Sequence, residues 1–154
     1  MTGHVVVVGY GNALRCDDGL GWHAAELLAD DPRVKGVEVF QRHQLTPELA
    51  LDISTASLVV LIDASSRLPP GEFSVERVEP AVGVGSRGSH HLTPGTLVAL
   101  AHELYGRAAD VLVVSCGVQS LEIGDGLSPV VETALPKLLD AVAELVARQA
   151  LEMG

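Results

Sequence analysis

The sequence predicts an α/β fold: a single domain, residues 1–154, built on a mostly parallel, twisted sheet of about five strands sandwiched between helices. Three observations predict it. Short β-branched runs alternate with segments of helical period in the order βαβαββαβα, and strands joined through helices run parallel. The runs at 5–8, 58–62 and 111–115 are apolar almost throughout, as strands covered on both faces are. The chain has 154 residues, 47% apolar but only 3% aromatic, so it can bury a core of Val, Leu, Ile and Ala without disulfides.

Each element has its own signal. Residues 5–8, bounded by glycine, form the first strand. Residues 19–29 read as a helix, with Asp17 or Asp18 near its N-cap and Leu20, Ala24, Leu27 and Leu28 on one face. Residues 37–41 form the second strand. Thr46-Pro47-Glu48 opens a short helix reaching Ile53, with Thr46 as cap and Pro47 in the first turn. Residues 58–62 form the third strand, ending at Asp63. Pro69-Pro70-Gly71 is a turn, and residues 73–78 alternate as an edge strand does. Residues 81–89, rich in Gly and Ser, read as a loop. Thr93-Pro94 caps a helix running to Tyr105, and 111–115 is a further buried strand. Ser128-Pro129 opens a C-terminal helix to Met153, with an apolar stripe of Val131, Leu135, Leu138, Val142 and Leu145. Pro136 is expected to kink or split it.

The formal net charge of −10 argues against a nucleic-acid groove or an anionic membrane surface, which need clustered Lys and Arg. It suits a cation or a basic partner segment. No basic stretch leads into an apolar run at the N-terminus, and no apolar run approaches the ~20 residues that span a bilayer. A cytoplasmic chain is expected, with Cys16 and Cys116 reduced. Cys16 reads as a small filler of its turn, although it could also serve as a soft ligand or reactive thiol. Cys116 reads as buried and inert. Motifs of thiol, serine and zincin hydrolases are missing.

Chemistry concentrates in three places. Gly9-Tyr10-Gly11 follows the first strand as a dinucleotide fingerprint would, but Leu14 stands where the third glycine belongs. Asp17 and Asp18 would meet a pyrophosphate with like charge, so no nucleotide cofactor is expected. Asp63 ends the third strand, on the sheet edge where open α/β proteins bind ligands, and it can converge there with Asp18. Capping the next turn would equally explain Asp63 by itself. His90-His91 precede the helix that starts at Pro94. Neutral imidazole is the commonest protein metal ligand, although most loop histidines are merely solvated. Two carboxylates and one histidine with open positions suit a divalent metal of the first transition row. Of the other histidines, His4 reads as a strand-start residue, His23 and His102 as helix-surface residues, and His43 has no assigned role.

Gly9-Tyr10-Gly11-Asn12, Asp17-Asp18-Gly19-Leu20-Gly21, Asp63-Ala64, His90-His91-Leu92 and Gly117-Val118-Gln119 together resemble the hydrogenase maturation endopeptidases. The resemblance spans residues 5–145. It implies an α/β fold and an aspartate- and metal-dependent peptidase that acts on the precursor of a nickel–iron hydrogenase large subunit. Such a peptidase removes a C-terminal extension from a precursor that already carries nickel. It implies metal contacts at Asp18, Asp63 and His90, with Asp18 and Asp63 also catalytic and the nickel supplied by the substrate. Aligning Pro94 instead of Leu92 and Leu97 moves the histidine to His91. Many members carry an acidic residue and two glycines after the second strand. Here the chain reads Gln41-Arg42-His43-Gln44-Leu45-Thr46-Pro47-Glu48-Leu49, which still suits a cleft-facing loop but with a less free backbone, and which points to a different client hydrogenase. Three other readings remain: a nickel-dependent checkpoint or chaperone of the same fold that does not cleave, a nucleotide-binding α/β protein, and a peptidase of the same fold acting on another precursor.

Overall fold

The computed structural model describes residues 4–81 and 92–153. Its strands are β1 (Val5–Tyr10), β2 (Glu38–Arg42), β3 (Leu58–Ser65), β4 (Phe73–Arg77) and β5 (Asp110–Gly117). Its α-helices are α1 (Leu20–Ala29), α2 (Leu49–Thr55), α3 (Pro94–Tyr105) and α4 (Pro129–Met153). The five strands form one sheet in the order β2-β1-β3-β5-β4. The first four run parallel and β4 closes one edge antiparallel to β5. Element order, strand number and the edge position of β4 are those the sequence predicts.

The all-apolar strands are buried on both faces, and their alternate residues feed two cores. Val7, Val60, Ile62 and Val114 pack with Leu20, Ala24 and Leu28 of α1 and Val131, Leu138 and Val142 of α4. On the other face Val6, Val8, Val59, Leu61 and Val111 pack with Ile53 of α2 and Leu97, Val98 and Ala101 of α3. None of the aromatic side chains is fully buried, so the cores are aliphatic. Burying a Val or Leu side chain contributes roughly 1.5–3 kcal/mol, and the sheet supplies such residues on both sides.

The strand order places the site. β1 connects outward to β2 through α1, and the chain then crosses back through α2 to β3 on the other side of β1. The connections leaving β1 and β3 therefore diverge, which opens a crevice at the carboxyl ends of those two strands. At the same edge α1 lies hard against the sheet. A Cβ on Gly21 would collide with the carbonyls of Tyr10 and Ile62, and one on Gly9 with the carbonyl of Gly21. These glycines thus allow close helix–strand contact.

Several local expectations are corrected. Leu27 is half exposed, because the apolar face of α1 is narrower than its sequence suggests and is completed by Gly21 and Ala25. Asp17 and Asp18 do lie near the N-cap of α1 as expected, but in a 3-10 turn (Cys16–Gly19) whose Gly19 holds the cap position itself. Thr46 does not cap α2, which begins at Leu49 after a tight turn; its hydroxyl lies 2.9 Å from Glu48 Oε1. Of the kink or split expected at Pro136, the split does not occur: α4 runs through it as one helix. His23 is not a surface residue: its ring is half-buried, and Nε2 is buried without a partner among the described residues. The cap of α3 is as expected, with Thr93 and Thr96 exchanging side-chain and backbone hydrogen bonds. Both cysteines are free thiols, and Cys116 is buried. The loop read at 81–89 lies outside the described residues from position 82. Among the described residues, no helix is long and apolar enough to cross a membrane.

Candidate active site

A cleft of about 640 Å³ opens at the carboxyl ends of β1 and β3. Tyr10, Gly11, Asn12, Leu14, Arg15 and Asp18 form one wall, and Asp63 stands at its base. His43, Gln44 and Leu45 from the loop after β2, with Leu92 before α3, form the other wall.

Asp18 and Asp63, far apart in sequence, converge here as the sequence predicts. Asp18 is delivered by the 3-10 turn and fixed by the glycine loop, where Asn12 N donates to its Oδ2 at 2.9 Å. Asp63 is delivered by register. Gly9 pairs with Ile62, so Tyr10 and Asp63 are the next residues on the two strands and share a face of the sheet. The Tyr10 phenol and the Asp63 carboxyl lie close enough there for each to shift the other's titration. Burial raises the Asp63 carboxyl to a pKa of about 6. Hydrogen bonds from Tyr10 and the Ala64 backbone oppose that rise, and the charge of Asp18 adds to it. Burial, then the charge and hydrogen bond of Asp63, holds the Tyr10 phenol well above its ordinary range, so it remains a donor.

Asp17 does something else. Its side chain is fully buried. Oδ2 accepts from Gln119 N at 2.8 Å, Ser120 N at 3.0 Å and Ser128 Oγ at 2.7 Å, and Oδ1 accepts from Ser128 N at 2.7 Å. Burial pushes its carboxyl up, but the bonds from Ser128, Gln119 and Ser120 outweigh that and hold it below the usual carboxylate range. Asp17 therefore staples the 3-10 turn to the segment between β5 and α4. Gln119, one of the motif residues, acts through its backbone N–H in that staple.

The N–H groups of the glycine loop have partners within the chain. Its Asn12 N–H is taken by Asp18 and its Gly11 N–H by Arg42 O at 3.1 Å. Two donors that would cradle an anion are thus committed, one of them to a carboxylate.

The residues the sequence reading left without a role here are Tyr10, Arg15 and His43. Tyr10 was recoverable from strand parity once β1 and β3 were paired. His43 is stacked on Trp22, with ring centroids 4.5 Å apart and planes at 15°, and nothing local in the sequence signals that pairing. His90 and His91 lie outside the described residues. Among the described residues, no group of three or more His, Cys, Asp and Glu side chains could hold a metal ion. Of the three residues singled out from the sequence, the described structure brings two, Asp18 and Asp63, into the cleft.

No protein-family model matches the chain, and no curated protein matches it in sequence. Solved structures do. The [NiFe] hydrogenase maturation protease HycI from Thermococcus kodakarensis superposes with a TM-score of 0.74 at 22% identity, over 94% of this chain and 92% of that one. The hydrogenase maturating endopeptidase HybD from E. coli gives 0.74 at 23% identity, over 94% and 93%. The hydrogenase 2 maturation peptidase from a Thaumarchaeota archaeon gives 0.70 at 25% identity, over 94% and 98%. These three solved structures are hydrogenase maturation proteases or peptidases, and this chain shares their α/β fold over 94% of its length.

Proposed function

We propose that this protein is an endopeptidase that removes a C-terminal extension from the nickel-loaded precursor of a nickel–iron hydrogenase large subunit. The observation that carries the reading is the convergence of Asp18 and Asp63 in the cleft of a fold shared with maturation proteases. Two carboxylates whose charges already oppose each other gain from a cation between them.

In this reading the nickel belongs to the substrate. Asp18, Asp63 and His90 contact it, and the contact holds the scissile peptide at the base of the cleft, which contributes through proximity. Leu92, two residues on from His90 in sequence, is a wall of that cleft. Asp63, with its carboxyl raised towards neutrality, suits a general base that takes a proton from the attacking water. The same proton then passes to the departing amide nitrogen, so the carboxylate is regenerated. Tyr10 keeps Asp63 oriented and Asn12 does the same for Asp18.

The test is to incubate nickel-loaded precursor with the wild type and with Asp18→Asn, Asp63→Asn and His90→Ala, and to read the precursor mass. Wild type shortens the precursor and the variants leave it intact. Full processing by all three variants overturns the assignment. A precursor that binds but keeps its mass with the wild type makes the protein a non-cleaving checkpoint instead.

A further inference from the structure

The loop that carries Asp18 is bound to a second loop outside the cleft. Gly124 N donates to Leu14 O at 2.8 Å, Cys16 N to Gly124 O at 2.9 Å, and Arg15 Nε to Leu121 O at 3.1 Å. Asp17 closes the same joint from inside through Gln119, Ser120 and Ser128. The two loops thus form one braced ledge. It carries three large apolar side chains in water: Leu14 is 64% exposed, Leu121 38% and Ile123 89%. Turns and loops ordinarily present polar residues, and a cluster of apolar side chains on adjacent backbone marks a contact surface.

The ledge is continuous with the cleft, because Leu14 and Arg15 also line it beside Asp18 and Asp63. Arg15 adds charge. The chain has 20 acidic and 10 basic residues, yet this arginine lines the cleft with no ion pair among the described residues. Ion pairs among the described residues involve His4, Arg33, Arg77 and Arg148 only. With Nε committed to Leu121, its two Nη groups remain, and their end-on geometry matches the two oxygens of a carboxylate.

We infer that this ledge is the docking surface for the precursor polypeptide: an apolar side chain close to the scissile bond lies across Leu14, Leu121 and Ile123, and a neighbouring acidic side chain is held by Arg15. The inference rests on the endopeptidase reading and extends it to substrate selection. Because the ledge is braced before the substrate arrives, docking orders the incoming segment alone, which lowers the entropic cost of binding.

The test is steady-state processing of nickel-loaded precursor by a Leu14→Ser/Ile123→Ser double variant and by Arg15→Glu. Leu151→Ser serves as control: it is also exposed, but lies on the last turn of α4 by the opposite edge of the sheet. Each ledge variant raises KM about tenfold, the effect of one lost contact of 1.4 kcal/mol, with kcat and Tm little changed. The control keeps the wild-type KM. Replacing the acidic residues near the precursor's cleavage site one at a time by lysine restores the KM of Arg15→Glu in one case. An unchanged KM in the ledge variants overturns the inference, and a raised KM that no lysine restores overturns the Arg15 part. If wild type does not cut, the same variants are compared by titrating the precursor. Weakened binding then supports the ledge while the endopeptidase reading fails, and unaltered or absent binding overturns both.

Discussion

Asp17 and Asp18 are chain neighbours that belong to two different regions of the molecule. Asp17 faces inward, where three backbone N–H groups and a hydroxyl satisfy it completely. Asp18 faces the cleft, where it holds one backbone N–H and opposes the charge of Asp63. The same carboxylate chemistry is a structural rivet in one region and a sparsely bonded group lining the cleft in the other. The difference lies in the number of donors: a carboxylate surrounded by them is stable and inert, whereas one short of them gains by binding something else.

Substitutions can break this comparison. The largest effect is expected from Asp18→Asn, which lowers precursor processing by about 10²-fold or more. Its Tm stays close to wild type, because an asparagine oxygen still accepts from Asn12 N. A cleavage assay paired with thermal melting checks both halves. Asp17→Asn reverses the pattern. The new amide turns a donor towards donors and loses charge-assisted bonds, so stability falls by about 3 kcal/mol. Urea denaturation measures that loss, and activity declines only as the folded fraction does.

Acid sharpens the contrast. Asp17 is held below its ordinary range, so its contribution to stability is full above the ordinary carboxyl pKa and is lost as pH falls through its folded value. Asp63 has the opposite sign. Its carboxyl is raised from 3.8 to about 6, so the folded state holds that proton more tightly, and the stability it lends at low pH is lost as pH rises through about 6. Asp63→Asn is therefore expected to melt above wild type at pH 8, by about 1 kcal/mol after solvent screening, and to match it near pH 4. Melts across that range decide it; a variant less stable at pH 8 refutes it. The smallest effect is at Cys16, whose φ of +45° lies in the left-handed region. Cys16→Gly relieves that strain but frees the unfolded chain, and a net gain of about 0.5 kcal/mol is expected in denaturant titration.

The strands and α3 were legible because their signals are local. An unbroken β-branched run has few uses besides a strand buried on both faces, and Thr93-Pro94 carries its own cap. Asp63 was legible as a strand-end carboxylate, since the parallel order dictates which sheet edge it reaches. Leu27 and Thr46 were misread because a helix face and a cap depend on what packs opposite, which periodicity does not report. His23 was misread for the same reason.

The sequence by itself determined the layered α/β architecture, the aliphatic cores and the acidic character of the loop after β1, since hydrophobic period and residue type act over a few neighbouring positions. Only the tertiary structure decided that Asp17 is a staple and Asp18 a cleft residue. It alone placed Tyr10 on Asp63 and joined the Leu14 loop to the one at Leu121. Those outcomes depend on which donors and strands arrive from roughly fifty to a hundred residues away, and the chain near Asp17 carries no record of them.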